Sequence, residues 1–253
     1  MTITSSPEGY VHKGNRPLTS VDDWHRFAPP KREVHWKDGR SAKESARAWI
    51  AAAPRMQPDI ERTIAACPDV GPLLRWRAEP EARIPIDTFR GEQPNIDLLV
   101  VAEDGRGPVV VVIEAKADET FGDQLADRYR NAKAARASNP RSKALDRIEA
   151  LLDRFRLDLG QPRVPRLRYQ LFTAVAAALA EAKRRSSDRA LFVVHEFVTS
   201  LTRSDRRERN AADLDGFLSM ALHSDTNVHD GEIAGPVLIQ GLSLYVGKAR
   251  TLA

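Results

Sequence analysis

The sequence has very little cysteine and no long apolar run. Its single cysteine, Cys67, excludes an intramolecular disulfide framework and is typical of a protein in a reducing compartment. No stretch reaches the roughly 20 apolar residues that a membrane span needs, and the first residues lack a basic-then-apolar signal pattern. These absences predict a cytoplasmic protein that does not contact a membrane.

The motifs of several enzyme classes are also missing. The chain contains no G-x-S-x-G nucleophile elbow, no glycine-rich phosphate loop ending in Lys and Ser or Thr, no cysteine pair and no H-E-x-x-H helix. A zinc site from His195, His223 and His229 is conceivable, but scattered histidines are more often ordinary core or surface residues.

Neither sign of charge dominates the composition. The 39 Lys and Arg exceed the 35 Asp and Glu by a formal net charge of +4, which permits nucleic-acid binding without requiring it. The 253 residues, 42% of them hydrophobic, suffice for one domain with an ordinary core. We expect a loose or wrapped N-terminal arm over residues 1–24, rich in Pro and Gly, and a single domain over residues 25–253.

The most informative segment is a pair of apolar stretches, residues 96–102 and 109–113, separated by turn-forming residues. They predict two strands joined by a short loop. A turn centred at residues 105–106 pairs Asp97 with Glu114 across the ladder. The alternative is a surface hairpin with ordinary charged strand ends. Residues 109–113 are apolar at both odd and even positions, however, which predicts a strand that is buried on both faces.

Lys116 follows Glu114 by two residues, so the two side chains point to the same face of the strand. Two carboxylates close together can share Mg²⁺, which takes oxygen ligands and retains several waters. A neighbouring lysine can position or deprotonate a water and offset the charge that develops on a phosphate. The group of Asp97, Glu114 and Lys116 therefore indicates a hydrolytic metal site.

Asp97 and the run Glu114, Ala115 and Lys116 resemble the motif of the PD-(D/E)xK nuclease superfamily. Pro94 departs from the pattern, since it lies two positions earlier than the proline that often precedes the Asp. The resemblance implies an α/β fold with a restriction-endonuclease-like mixed β-sheet flanked by helices. It also implies a Mg²⁺ cofactor, replaceable by Mn²⁺, with Asp97 and Glu114 as its ligands.

In this superfamily a helix before the strands often donates another carboxylate. Residues 39–50 have helical spacing and contain Glu44, which resembles that residue. Glu61 and Glu92 are alternatives, and for each of the three a solvated carboxylate is the competing interpretation. Residues 83–87 are predicted to be the first core strand.

Residues 121–137 predict the second core helix, on which exonuclease-like branches carry Gln and Tyr. Gln124 is the candidate for contact with the metal site or the phosphate. Tyr129 is one residue further away than the family spacing and is better explained by packing. This helix and the next segment are rich in basic residues, and we expect nucleic-acid contacts from Arg128, Lys133 and Arg136.

Four further segments complete the predicted domain. They are an amphipathic helix at 145–159, an alanine-rich helix at 169–185, a buried strand at 190–197 beside the catalytic strands, and closing strands at 237–239 and 242–246.

The sequence thus predicts a cytoplasmic, Mg²⁺-dependent nuclease whose partner is nucleic acid, with DNA the first expectation, and leaves a homodimer open. The residues predicted to be catalytic are Asp97, Glu114, Lys116, Gln124 and Glu44. The alternative is a non-catalytic nucleic-acid-binding or scaffold protein that keeps the fold. The intact Asp, Glu and Lys favour the enzyme.

Overall fold

Eight strands form one sheet in the computed structural model, which describes residues 8–253. The strands are β1 (Glu8–Lys13), β2 (Arg16–Pro17), β3 (Arg75–Arg83), β4 (Asn95–Asp104), β5 (Gly107–Lys116), β6 (Arg189–Val198), β7 (Ile233–Ile239) and β8 (Leu242–Leu252). Their order across the sheet is β2-β1-β3-β4-β5-β6-β8-β7. The pairs β1–β3, β5–β6 and β6–β8 are parallel and the other four are antiparallel, so the sheet is mixed.

Helices cover both faces of the sheet. They are α1 (Val21–Phe27), α2 (Ser41–Ala52), α3 (Pro58–Ala65), α4 (Leu125–Ser138), α5 (Ala144–Arg154), α6 (Tyr169–Arg184) and α7 (Ser204–Ala221). Apolar residues of α1 to α3 pack on one face, and those of α4 to α7 pack on the other. The predicted α/β architecture with a mixed, helix-flanked sheet is confirmed. Within residues 8–253, no helix is both long and apolar enough to cross a membrane.

The central hairpin forms as the sequence predicts. Strands β4 and β5 contain the apolar stretches 96–102 and 109–113, and a two-residue turn joins them because Asp104 pairs with Gly107. Residues 109–116 of β5 are all buried. Val110 and Val112 of β5 pack in the core on one face of the sheet, and Val109, Val111 and Ile113 pack in the core on the other.

The helix that crosses from β5 to the parallel strand β6 is α6. Its alanine-rich surface lets it lie close to β5 and β6, and Ala176, Ala177 and Ala178 are fully buried. The predicted second core helix exists as α4, but α4 packs against α5 rather than forming this crossover. Helices α4 and α5 are thus an insertion between β5 and α6.

The first core strand lies earlier than predicted. It is β3, Arg75–Arg83, and residues 84–87 belong to the loop that follows it. Ile84 and Ile86 alternate like strand residues in the sequence, but they lie in a loop and are buried in the core. The strand itself alternates between exposed and buried residues, as expected for a strand near the sheet edge.

The predicted arm over residues 1–24 falls partly outside the described residues, which begin at Glu8. The described part packs onto the domain. It supplies β1, β2 and the start of α1, and Val11 of β1 is buried in the core.

Candidate active site

The register of the central hairpin places Asp97 opposite Glu114, as predicted. Leu98 pairs with Ile113, and the next step of the same antiparallel ladder brings Asp97 and Glu114 together. Asp97 Oδ2 accepts a hydrogen bond of 2.9 Å from the backbone N–H of Ala115, which fixes the aspartate at the beginning of β4.

Glu114 and Lys116 form a buried ion pair. Lys116 Nζ lies 2.5 Å from Glu114 Oε1, and the two side chains are only 6% and 2% exposed. Gln170 Nε2, in the first turn of α6, donates to the same oxygen at 2.5 Å. The Glu114 carboxylate is thus oriented by one cation and one amide, from two elements of the structure.

The negative charge of Glu114 and Asp97 exceeds the positive charge of Lys116. Burial raises the pKa of Glu114 well above its usual range, and the charge of Asp97 raises it further. Burial by itself would lower the pKa of Lys116, but the carboxylates of Glu114 and Asp97 outweigh that effect and raise it. One ammonium group therefore faces two carboxylates, and the pair favours an additional cation or a proton.

A third carboxylate, Glu81 of β3, was not predicted from the sequence. Pro80 pairs with Leu98 and Ala82 with Ile96, so Glu81 lies beside Asp97 on the neighbouring strand. Burial raises the pKa of Glu81 to about 7, with the charge of Asp97 adding to the effect. The alternation of charged and apolar residues along Arg75–Arg83 was the sequence signal that could have revealed this strand.

Glu44 lies on α2 but does not join the described site residues. Its buried carboxylate accepts a hydrogen bond of 2.8 Å from the Gly39 N–H and pairs with Arg47 at 3.1 Å. Within residues 8–253, no hydrogen bond or ion pair links Glu44 to Asp97 or Glu114. Its geometry is that of a residue that holds the start of α2.

Within residues 8–253, the other two acidic alternatives also form no hydrogen bond or ion pair with Asp97 or Glu114. Glu61 is on α3, which packs against β8, and β6 separates that strand from β5. Glu92 is exposed and pairs with Lys31 at 3.1 Å and with Arg83 at 3.8 Å.

Gln124 is the residue before α4, and it forms an isolated bridge with Arg168. The glutamine that contacts Glu114 is Gln170, because α6 and not α4 makes the crossover from β5 to β6. The sequence signal for Gln170 was its position at the beginning of the predicted alanine-rich helix.

The three residues predicted to contact nucleic acid differ in how closely their side chains already pair with other residues of the protein. Arg136 pairs with Asp146 at 2.7 Å and so ties α4 to α5. Arg128 is exposed and lies 3.6 Å from Asp123. Lys133 is exposed, with its ammonium 5.0 Å from the centre of a tyrosine ring on the same helix. Arg128 and Lys133 remain accessible to an anion.

A cleft of about 430 Å³ opens beside the Glu114 ion pair. Gln170 lines it, together with Asn95 from β4, Arg128 from α4 and Arg147 from α5. Glu92 and Asp123 also line this cleft, and the exposed Arg128 gives it an accessible cation that can bind a phosphate group.

Asp97 and Glu114 fit a hard divalent cation. Among residues 8–253, no group of three or more His, Cys, Asp or Glu is arranged to hold a metal ion. Mg²⁺ commonly binds through one or two carboxylates and completes its shell with water and substrate oxygens. The proximity of Asp97 raises the pKa of Glu114, and a cation between them would allow both to ionise.

A family model described as "Domain of unknown function (DUF6946)" matches residues 17–253. Neither the curated proteins nor the solved structures include a match to this chain.

Proposed function

Because the chain belongs to this family, whose description gives no activity, we propose from the site itself that it is a metal-dependent nuclease similar to the PD-(D/E)xK superfamily. The observation that carries the proposal is the group of Asp97, Glu114 and Lys116 at neighbouring strand ends. Its two carboxylates, the buried Glu114 and the half-buried Asp97, outnumber its one cation. Such an excess of charge is costly in a purely structural role and is common at functional sites.

The order of elements around the group supports the proposal. A helix is followed by three antiparallel strands, a crossover helix and a strand parallel to the third: α2, β3, β4, β5, α6 and β6. This is the order expected for a restriction-endonuclease-like core. Fold alone does not specify activity, so the residues at the strand ends carry the functional part of the proposal.

Asp97 and Glu114 would hold the cation, which acts as a Lewis acid on a phosphodiester oxygen when bound. The protein fixes both ligands in advance. The Ala115 N–H holds Asp97, and Lys116 and Gln170 hold Glu114. Preorganised ligands need little rearrangement when the substrate arrives.

Lys116 would act as a charged hydrogen-bond donor. Its raised pKa keeps the ammonium protonated, so it can orient a water or contact a non-bridging phosphate oxygen. In the reaction, the oxygen of water forms a bond to phosphorus while the bond to the leaving sugar oxygen breaks. Lys116 would offset the negative charge that develops on the phosphate oxygens.

Cleavage assays on labelled linear, circular, single-stranded and branched DNA and RNA with Mg²⁺ or Mn²⁺ test the proposal. Wild-type protein should cleave at least one substrate, and Asp97→Asn should lose that activity because it removes a ligand charge. Asp225→Asn is the matched control, since it neutralises an exposed aspartate in the loop between α7 and β7 that lines neither this cleft nor the site, and it should cleave like wild type. Binding without cleavage on all substrates would favour the non-catalytic alternative.

A further inference from the structure

A second anion-accepting surface lies on the same face of the sheet as Glu114. It is a groove of about 720 Å³ between the end of α6 and strands β1, β3 and β4. Arg75 and Arg77 of β3 line one wall, and Arg184 and Arg185 of α6 line the other. Glu8 and Glu103 also line the groove, and Glu103 pairs with Arg75, so the arginines outnumber the carboxylates by four to two. We refer to it as the arginine groove.

The floor of the arginine groove is a row of side chains on adjacent strands. Tyr10 of β1 pairs with Arg77 of β3, and Arg77 pairs with Val101 of β4. Tyr10 is 52% exposed, which is unusual for a large aromatic side chain on a sheet. The row thus offers a flat aromatic ring directly beside a guanidinium group.

The arginines keep hydrogen-bond donors free for a ligand. The guanidinium of Arg77 is exposed and forms no hydrogen bond or ion pair within residues 8–253. Arg184 gives two donors to Glu181, at 2.8 and 2.6 Å, yet its side chain is 62% exposed. Because a guanidinium has five N–H donors, Arg184 can bind a phosphate while it remains paired with Glu181.

The groove is aligned with the proposed active site. Gln170, which contacts Glu114, lies in the first turn of α6, and Arg184 ends the helix. The 14 steps between these two residues correspond to about 21 Å along the helix axis. A single phosphate cannot reach both places, whereas a polymer of phosphates can.

From this arrangement we propose that the arginine groove binds the single-stranded part of a nucleic-acid substrate whose scissile phosphate lies at Glu114. The proposal rests on the nuclease function proposed above. Arg77 and the arginines of α6 contact phosphates, and the ring of Tyr10 stacks on a base. Base faces are free for stacking only where the strand is unpaired, so the groove favours a single strand over a duplex.

Fluorescence anisotropy with labelled oligothymidylate in a chelator, over a range of salt concentrations, separates the two contacts. Arg77→Ala should weaken binding about tenfold and reduce the slope of log affinity against log salt by about 0.7, the value for one phosphate contact in a single strand. Tyr10→Ala should also weaken binding about tenfold but leave the slope unchanged, because stacking releases no counterions.

Arg62→Ala is the matched control, since it removes an exposed guanidinium from α3, outside the groove and on the other face of the sheet, and it should bind like wild type. Wild-type protein should also bind the single strand more tightly than the duplex of the same length. Equal binding of the two forms would overturn the proposal. So would wild-type affinity in both Arg77→Ala and Tyr10→Ala.

Hydrolysis of bis(4-nitrophenyl) phosphate with Mn²⁺ tests the metal site without the groove, because this small diester reaches only one phosphate position. Arg77→Ala should hydrolyse it at the wild-type rate. If wild-type protein does not hydrolyse it but needs Arg77 and Tyr10 to bind the single strand, the groove is supported and the nuclease function fails. If it hydrolyses the diester but neither variant affects strand binding, the nuclease function is supported and the groove fails.

Discussion

The two ends of the β4–β5 hairpin both bury charged side chains, but they balance the charge differently. At the turn end, Asp104 and Arg189 pair at 2.5 Å with side chains that are 0% and 2% exposed, and Arg189 also lies 3.3 Å from the exposed carboxylate of Asp188. At the other end, the ammonium of Lys116 faces the carboxylates of Glu114 and Asp97, and a third carboxylate, Glu81, lies beside Asp97 with the ammonium of Lys13 near it.

Hydrogen bonding follows the same contrast. Asp104 accepts bonds from the N–H groups of Gly71 and Arg106 as well as from Arg189, and the Arg189 bonds hold its pKa well below the usual range. The environment of Glu114 instead raises its pKa. A charge balanced in this way is typical of structure, whereas an unbalanced one at a comparable depth indicates a site that awaits a cation.

Removing the carboxylate of Asp104 at the turn end should produce the largest change in stability. Asp104→Asn leaves the buried guanidinium of Arg189 without its carboxylate, and we expect the free energy of unfolding to fall by about 3 kcal/mol or more. Urea unfolding followed by circular dichroism measures this loss. A change near zero would show that the turn end is not stabilised by this pair.

Lys116→Met should affect activity rather than folding. The Met side chain fills similar space, and loss of the ammonium should lower cleavage about a hundredfold or more while single-strand affinity in a chelator stays the same. Lys37→Met, in the loop before α2, serves as the control for loss of a cation, because this exposed lysine lines neither the cleft nor the arginine groove. Cleavage by Lys116→Met at the wild-type rate would contradict the role proposed for this lysine.

Removing a charge at the Glu114 end of the hairpin should change the free energy of unfolding in the opposite direction to Asp104→Asn. Asp97→Asn relieves repulsion with Glu114 and Glu81, so we expect the free energy of unfolding to rise by about 1 kcal/mol. The same urea experiment compares the two asparagine substitutions directly. A loss in Asp97→Asn as large as that in Asp104→Asn would mean that the two ends do not differ as described.

The smallest effect concerns pH. Glu81 has a folded-state pKa of about 7 against an ordinary value of 4.5, so the folded protein holds a proton that the unfolded chain releases. The stability from this group is therefore complete below about pH 4.5 and is lost as the pH rises through about 7. Glu81→Gln should flatten that decline in urea midpoints, whereas Glu79→Gln, which removes the partner of Lys13, should not. An unchanged slope in Glu81→Gln would contradict the raised pKa.

The sequence was sufficient to predict the hairpin because local features determine it. A two-residue turn at Gly105 and Arg106 sets the register, and the apolar run in β5 requires burial on both faces. Asp97, Glu114 and Lys116 follow from that register alone.

Residues that reach the site from other elements could not be predicted in the same way. Gln170 depends on which helix makes the crossover, and the inserted α4 is nearer to β5 in sequence. Glu81 could be predicted only from the correct bounds of the first core strand, and the apolar loop residues Ile84 and Ile86 shifted that prediction to residues 83–87. Glu44 was placed on a helix correctly, but helical spacing does not show that Arg47 and Gly39 engage its carboxylate.

Anomalous scattering from crystals soaked in Mn²⁺ tests the central claim most directly. We predict a peak between Asp97 and Glu114, within about 2.0–2.5 Å of a carboxylate oxygen of each, and no peak at Asp104, where Arg189 already balances the charge. An empty Asp97–Glu114 pair in crystals that bind Mn²⁺ at other carboxylates would contradict the account.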